Sequence, residues 1–280
     1  MKNILSVVIP SYKSSNKIYK HLKDLPKDIK IIIIENSQDK KLKENIKKKY
    51  KKVKVILQKN IGYGNAINLG SRFVKTKFFF VMNPDTVIYK NTLKLLLKGC
   101  KKIKKFGVVS PNYKENKGKR YKSIVEEKKT LTGGAMLFDT KMFKKIGGFD
   151  KNIFLYYEDN DYFTKCRKMG IKMYTINNSY HFHEKQSSGS ATFKTIKEME
   201  YAYLLAGWHG QWSKFYYHKK YDGYLKALIL CLPNLITNIL QLIINLPIKY
   251  KKAKYTYFKI EGLIASIIGL SSFKRSKFDE

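Results

Sequence analysis

Phe78-Phe79-Phe80-Val81-Met82-Asn83-Pro84-Asp85-Thr86 is the stretch on which the fold turns. Five apolar residues without polar alternation read as a strand buried on both faces, which requires a sheet covered by helices on both sides. The run stops at Asn-Pro-Asp, a turn signal. Four more short apolar runs flank it, at Leu5–Ile9, Ile29–Ile34, Val53–Leu57 and Val108–Ser110. Between them lie helix candidates at 15–25, 39–50, 64–75 and 91–104, with Ile18, Leu22 and Leu25 at helical spacing. Strand alternating with helix predicts βαβ units and a mostly parallel sheet, an α/β fold.

Further along, residues 112–129 are polar and lysine-rich and read as an exposed loop; order resumes at Thr132-Gly133-Gly134-Ala135-Met136-Leu137-Phe138. A helix is expected from Glu158 to Met169, a strand over Lys172–Ile176, and a His/Ser/Gly segment over 181–191. The tail differs in kind. Leu and Ile dominate residues 224–248, but Pro233, Asn234, Asn238, Gln241 and Asn245 interrupt them, and Lys249, Lys251, Lys252 and Lys254 follow. A spanning helix needs about 20 mainly apolar residues, whereas an amphipathic helix with flanking lysines lies on the membrane surface. The second pattern fits better; a span, or packing on the rest of the protein, are the alternatives. The expected division is an α/β domain over 1–220, with halves 1–110 and 111–220, and an amphipathic helical tail over 221–280.

Charge is the unusual bulk property: 57 Lys+Arg against 21 Asp+Glu, a net +36. Three readings compete: a coding bias toward lysine, attraction to an anionic membrane surface, and nucleic acid. Nucleic acid fits least, because base-reading arginines are scarce. Cys100, Cys166 and Cys231 have no metal or redox spacing and suit a reducing compartment. The opening run Ile4–Ile9 lacks a cleavage site after it and reads as a first strand rather than a secretory signal.

In an open α/β sheet, ligands bind beyond the carboxyl ends of the strands. The segments there are Pro10-Ser11-Tyr12, Glu35-Asn36-Ser37-Gln38-Asp39, Asn60-Ile61-Gly62-Tyr63-Gly64-Asn65 and Asn83-Pro84-Asp85-Thr86. Each taken alone is also an ordinary strand-to-helix turn. Asp85 is suited to Mg²⁺ or Mn²⁺, hard cations that bridge to phosphates. Downstream, Glu158-Asp159-Asn160-Asp161 puts three carboxylates in four positions. That pattern suits a general base with a raised pKa and equally an acidic helix N-terminus. His181 and His183 share one side of a strand and, with the 186–190 segment, offer a metal ligand, a phosphate contact or simply structure.

In this order the segments resemble the family 2 glycosyltransferases of the GT-A fold, particularly the rhamnosyltransferase-like branch, over residues 4–220. The motifs are Ser6–Tyr12, Glu35–Asp39, Asn60–Gly70, Asn83–Thr86, Gly147-Gly148-Phe149-Asp150 and Tyr157–Asp161. The resemblance implies a Rossmann-like nucleotide-sugar domain. Pro10, Tyr12, Glu35, Asn36 and Ser37 would line the nucleotide pocket, with Asn60, Gly62, Asn65 and Asn68 closing it. Asn83 and Asp85 would stand as a reduced Asp-x-Asp motif, with Asp85, His183 and His181 toward a divalent cation. Asp159, paired with Glu158, would be the base, and Gly133, Gly134, Tyr157 and Asp161 would face the acceptor. The implied reaction is inverting transfer of one sugar from a dTDP- or UDP-sugar, dTDP-rhamnose among them, to a lipid-linked or surface-glycan acceptor. The implied location is the cytoplasmic face of a membrane. Gln211-Trp212 lacks the arginine of the Gln-x-x-Arg-Trp motif of processive synthases, which argues for single addition. The rivals are a non-catalytic nucleotide-sugar binder and a basic nucleic-acid binder.

Overall fold

The structure is a computed structural model that describes residues 3–131, 133–183 and 193–279; Thr132, the 186–190 segment and the side chain of His183 lie outside the described residues. The chain divides into two units. One contains Met1–Asn60, Ala66–Phe149 and Tyr162–Thr192; the other contains Ile61–Asn65, Asp150–Asp161 and Phe193–Glu280.

The first unit carries a nine-stranded sheet. In chain order its elements begin β1 (Leu5–Ser11), α1 (Ser15–Asp24), β2 (Lys30–Glu35), α2 (Lys40–Lys49) and β3 (Val53–Leu57). After α3 (Tyr63–Ser71) come β4 (Phe78–Met82), β5 (Thr86–Ile88), α4 (Thr92–Cys100), β6 (Val109–Tyr113) and β7 (Val125–Glu127). Then follow β8 (Ala135–Asp139), α5 (Thr140–Ile146), α6 (Glu158–Lys168) and β9 (Tyr174–His183). The strands lie in the order β3-β2-β1-β4-β8-β6-β9-β5, with β7 on β9. β1 is buried along its whole length and pairs in parallel with β2 and β4.

The sheet is mixed, not mostly parallel. Through β3, β2, β1 and β4 it is parallel, but β8 enters antiparallel between β4 and β6, and β5 and β7 run antiparallel to β9. Apolar runs reveal that a strand exists and not which way its partner runs. The 112–129 loop also needs correction: it holds the end of β6, a 3₁₀ turn at Lys114–Asn116, and β7. β7 has one apolar residue, Val125, so it lacks the pattern that marks a strand. The last strand starts two residues later than expected and continues to His183, so His181 and His183 belong to β9. One side of the core is aromatic: Phe79, Phe138, Phe143, Phe149 and Tyr162 contact one another at ring separations of 5.1–6.0 Å.

The second unit is led by α7 (Ile196–Asp222), α8 (Tyr224–Asn245) and α9 (Tyr250–Ile267). The N-cap Thr195 accepts from the Glu198 amide, and Gly223, at φ 88°, separates α7 from α8. Phe215 of α7 packs with Ala227 and Cys231 of α8 and Leu263 of α9, and Trp208 and Trp212 of α7 pack with Ala265 of α9. α7 had no clear sequence signal because its buried positions include Glu198, His209 and Ser213. α8 is turned inside out. It buries Asn238 and Asn245, while Leu225, Ile229, Ile236 and Ile243 remain 51–75% exposed. Lys259 Nζ on α9 donates to Asn238 Oδ1 at 2.7 Å. By length and composition α8 is apolar enough to cross a membrane.

Candidate functional site

In the first unit the expected residues gather at the carboxyl ends of β1, β2 and β4. Glu35 is fully buried at the end of β2. Ser11 Oγ donates to Glu35 Oε2 at 2.6 Å, while the Ser37 amide, at 2.8 Å, and the Ser37 hydroxyl donate to Oε1. Burial raises the Glu35 carboxyl despite these donors. Glu35 therefore joins the turns after β1 and β2, and Ser11 belongs with the expected set. Ser37 Oγ also accepts from the Lys13 amide at 3.1 Å. Lys13 and Gln38, at φ 50° and 57°, reverse the chain on either side of the Pro10-Ser11-Tyr12 and Asn36-Ser37 turns. Asn36 is buried, with no hydrogen-bond partner for its Oδ1 among the described residues.

The turn after β4 is fixed by β8. The Asn83 amide and the Thr86 hydroxyl both donate to Gly134 O, at 3.0 and 2.8 Å, beside Gly133. Asp85 is 3% exposed in that turn. β5 then pairs with β9 so that His183 lies opposite Thr86 and His181 opposite Ile88. His181 is buried, its Nδ1 3.0 Å from Asn112 O. Among the described residues no three His, Cys, Asp or Glu side chains stand together as a metal cage. One buried carboxylate beside a histidine-bearing strand fits a hard cation that takes its remaining ligands from substrate phosphates and water.

Two of the asparagines act on the backbone. Asn68 Nδ2 donates to Phe149 O at 3.0 Å while its Oδ1 accepts from the Phe149 amide at 2.9 Å, so it clamps the Gly148-Phe149 turn. In the second unit Asn65 Nδ2 donates to Ile61 O and Lys151 O. Asn60 is half-buried just before this segment. Gly62, at φ 85°, runs so close to Phe154 that an added Cβ would stand 2.1 Å from its carbonyl oxygen.

The carboxylate cluster sits where the 150–157 loop of the second unit enters α6. Tyr156 and Tyr157 are left-handed at φ 64° and 65°, a strained conformation for bulky residues. Helix α7 holds the loop: Ser213 Oγ donates to Leu155 O at 2.8 Å, and the Tyr157 ring lies 5.4 Å from that of Tyr217. Lys220 Nζ donates to Asp150 Oδ2 and to Asp161 Oδ1, each at 2.5 Å. Tyr216 and Tyr221 hydroxyls donate to the same two carboxylates at 3.1 and 2.8 Å. Burial would lower the Lys220 ammonium, but its bonds to Asp150 and Asp161 outweigh that and hold it above the usual lysine range. Asp161 is thus the inner anchor of this clasp.

Among the described residues, no cationic side chain pairs with Glu158 or Asp159 in this way. Glu158 is 7% exposed, and its Oε2 has no hydrogen-bond partner among the described residues. Burial, and next the charge of Asp159, push Glu158 up to about 8. Burial also raises Asp159, whose Oδ1 accepts from the Asn160 amide at 2.8 Å. The two carboxyls titrate as a pair. At neutral pH the more buried Glu158 keeps its proton.

A family model described as Glycosyl transferase family 2 matches residues 6–170. The uncharacterized glycosyltransferase RP339 of Rickettsia prowazekii (strain Madrid E) is 26% identical over 205 residues, covering 65% of this chain and 62% of that protein's own length. The fold is similar to the mannosyltransferase PcManGT of Pyrobaculum calidifontis, solved with GDP-Man and Mn²⁺, at a TM-score of 0.59 and 13% identity over 95% of this chain and 88% of that one. It is also similar to S. aureus TarS, solved with UDP-GlcNAc, at 0.54 and 14% over 97% and 93%. The architecture is accordingly a GT-A-like α/β fold with a mixed central sheet.

Lys220→Met leaves Asp150 and Asp161 as buried carboxylates without a counter-charge. Removing one partner of a fully buried pair costs about 3–5 kcal/mol; the Lys220 side chain is 28% exposed, so roughly 2–3 kcal/mol is expected. Urea unfolding at pH 7 measures it. A loss under about 0.5 kcal/mol, the range of an ordinary surface change, would show that the clasp does not hold the loop.

Proposed function

We propose, from the premise that this chain belongs to glycosyl transferase family 2, that it transfers a single sugar from a nucleotide-sugar to an acceptor hydroxyl with inversion. The observation that carries this reading is the Glu158–Asp159 pair: two neighbouring carboxyls, both raised by burial, at the end of a loop held in strain. Raised basicity suits a carboxylate that must take a proton from a hydroxyl. Asp159 is the proposed base, because it is the more exposed member of the pair. Burial raises Asp159, and the charge of Asp159 in turn helps to raise Glu158.

In the proposed reaction the acceptor oxygen bonds to the anomeric carbon as that carbon's bond to the diphosphate oxygen breaks. The hydroxyl proton passes to Asp159, and the bonding pair leaves with the diphosphate. Attack opposite the leaving group inverts the anomeric configuration. Pro10, Tyr12, Asn36 and Ser37 are proposed to receive the nucleotide, with Glu35 and Ser11 fixing their turns and Asn60, Gly62, Asn65 and Asn68 shaping the segment beyond β3. Asp85, with His183 and His181, is proposed to hold a Mg²⁺ or Mn²⁺ ion, which would neutralise charge on the leaving diphosphate. Mn²⁺ in the PcManGT structure supports that choice. Tyr157 and the Gly133-Gly134 turn are assigned to the acceptor. The donor is proposed to be a dTDP- or UDP-sugar, dTDP-rhamnose included, and the acceptor a lipid-linked or surface glycan.

Asp159→Asn should lower the transfer rate by at least about 100-fold, the lower end for a lost general base. It should leave stabilisation by the donor intact, about 2.7 kcal/mol at 100 times the dissociation constant. Thermal unfolding with UDP-, dTDP- and GDP-sugars, with and without Mn²⁺, measures the second quantity. Transfer at the wild-type rate would remove Asp159 from the mechanism; no stabilisation by any donor would remove the nucleotide-sugar reading.

We further propose that the 221–280 region places the protein on the anionic, cytoplasmic face of a membrane. Support comes from the outward Leu/Ile face of α8, its inward asparagines and the lysines that follow it. A surface-lying helix with one polar, packed face is favoured over a span. Truncation is a poor test, since α8 and α9 cover Trp208, Trp212 and Phe215. Replacing exposed Leu225, Ile229, Ile236 and Ile243 with Ser should abolish co-sedimentation with phosphatidylglycerol vesicles. Unchanged co-sedimentation would overturn the proposal.

A further inference from the structure

At the end of the sheet opposite Glu35, a cavity of about 610 Å³ opens beneath the last turns of α1 and α2 and the starts of β2 and β3. That volume lies within the range of small-molecule sites, ~300–1,000 Å³. Ile31 in its wall and Glu35 are four positions apart on β2, about 13 Å, so the cavity is separate from the strand-end turns. Its floor is apolar: Pro26, the ring of Tyr50 and Val53 are half-buried there, over the core residues Leu22, Leu25, Ile29 and Ile31.

The rim is cationic. Lys23, Lys27, Lys49, Lys51 and Lys52 are five of its twelve lining residues, whereas Lys and Arg together make up 57 of the 280 residues in the chain. The ring therefore exceeds the general lysine content. Helix macrodipoles explain Lys23 and Lys49, which close α1 and α2. They do not explain Lys27, Lys51 and Lys52, which lie outside the helices. In the last turns of these helices His21 O accepts from the Leu25 amide, and Ile46 O from the Tyr50 amide. Asp28 interacts electrostatically with Lys52 and offsets only part of this charge.

We infer that the cavity binds a single-chain anionic amphiphile, its hydrocarbon chain against Pro26, Tyr50 and Val53 and its head group among the rim lysines. The combination is selective. Inorganic phosphate gains nothing from the floor, and a neutral alkyl chain leaves the lysines uncompensated. The inference stands apart from the transfer reaction and from membrane attachment through α8.

Calorimetric titration of the full chain with dodecyl phosphate below its micelle concentration tests this, alongside dodecanol, inorganic phosphate and the variant Lys27→Glu/Lys52→Glu. Both lysines are exposed, so the variant folds, and alkyl binding to the apolar face of α8 would ignore it. The expected result is dodecyl phosphate binding at least ten times tighter than dodecanol or phosphate, weakened at least tenfold in the variant. No binding of dodecyl phosphate, equal binding of dodecanol, or an unchanged affinity in the variant would each overturn the inference.

Discussion

A single ammonium group organises the chemistry of the second unit. Lys220 reaches from α7 to Asp150 at one end of the 150–161 loop and to Asp161 at the other. In closing that loop it fixes where Glu158 and Asp159 begin their helix. A buried ion pair is weak evidence of net stabilisation, because desolvation offsets much of the attraction. Its contribution is geometric: two carboxylates are neutralised in fixed positions, while the two between them are raised by burial.

The strain in the loop follows from the same arrangement. Tyr156 and Tyr157 adopt left-handed backbone conformations that cost on the order of 1–3 kcal/mol each. Such conformations persist only where the surroundings over-determine them. Here Ser213 holds Leu155 O, Tyr217 packs on Tyr157, and the Asp161 amide donates to Tyr157 O at 2.8 Å. The macrodipole of α6 favours anions at its first turn, and burial opposes it. Burial wins at Glu158. Helix position explains why acidic residues stand there; desolvation explains why they are basic.

How much of this the sequence revealed depends on how local each signal is. The runs at Leu5, Ile29, Val53 and Phe78 carry their own evidence as short segments rich in apolar residues, and the turns after them are marked by Pro, Asn, Asp and Ser. Mixed pairing is a different matter, since nothing in Ala135–Asp139 says that β8 runs against β4. α7 hides its period behind inward Glu198, His209 and Ser213. Lys220 is one lysine among many, and its partners lie 70 and 59 positions away. Asn68 has a residue type that reads equally well as a ligand contact or a backbone clamp, and only coordinates distinguish the two.

The most direct measurement is the difference in stability between wild type and Glu158→Gln across pH. With a folded value near 8, above the unfolded carboxyl value of about 4.3, the folded protein keeps a proton that the unfolded chain releases. Raising the pH between those values therefore destabilises the wild type, and Gln, which cannot ionise, escapes the loss. The variant should match wild type near pH 4 and become progressively more stable than it, by a difference that levels off above pH 8. A difference that does not change with pH would mean that Glu158 ionises normally, and that burial does not raise it.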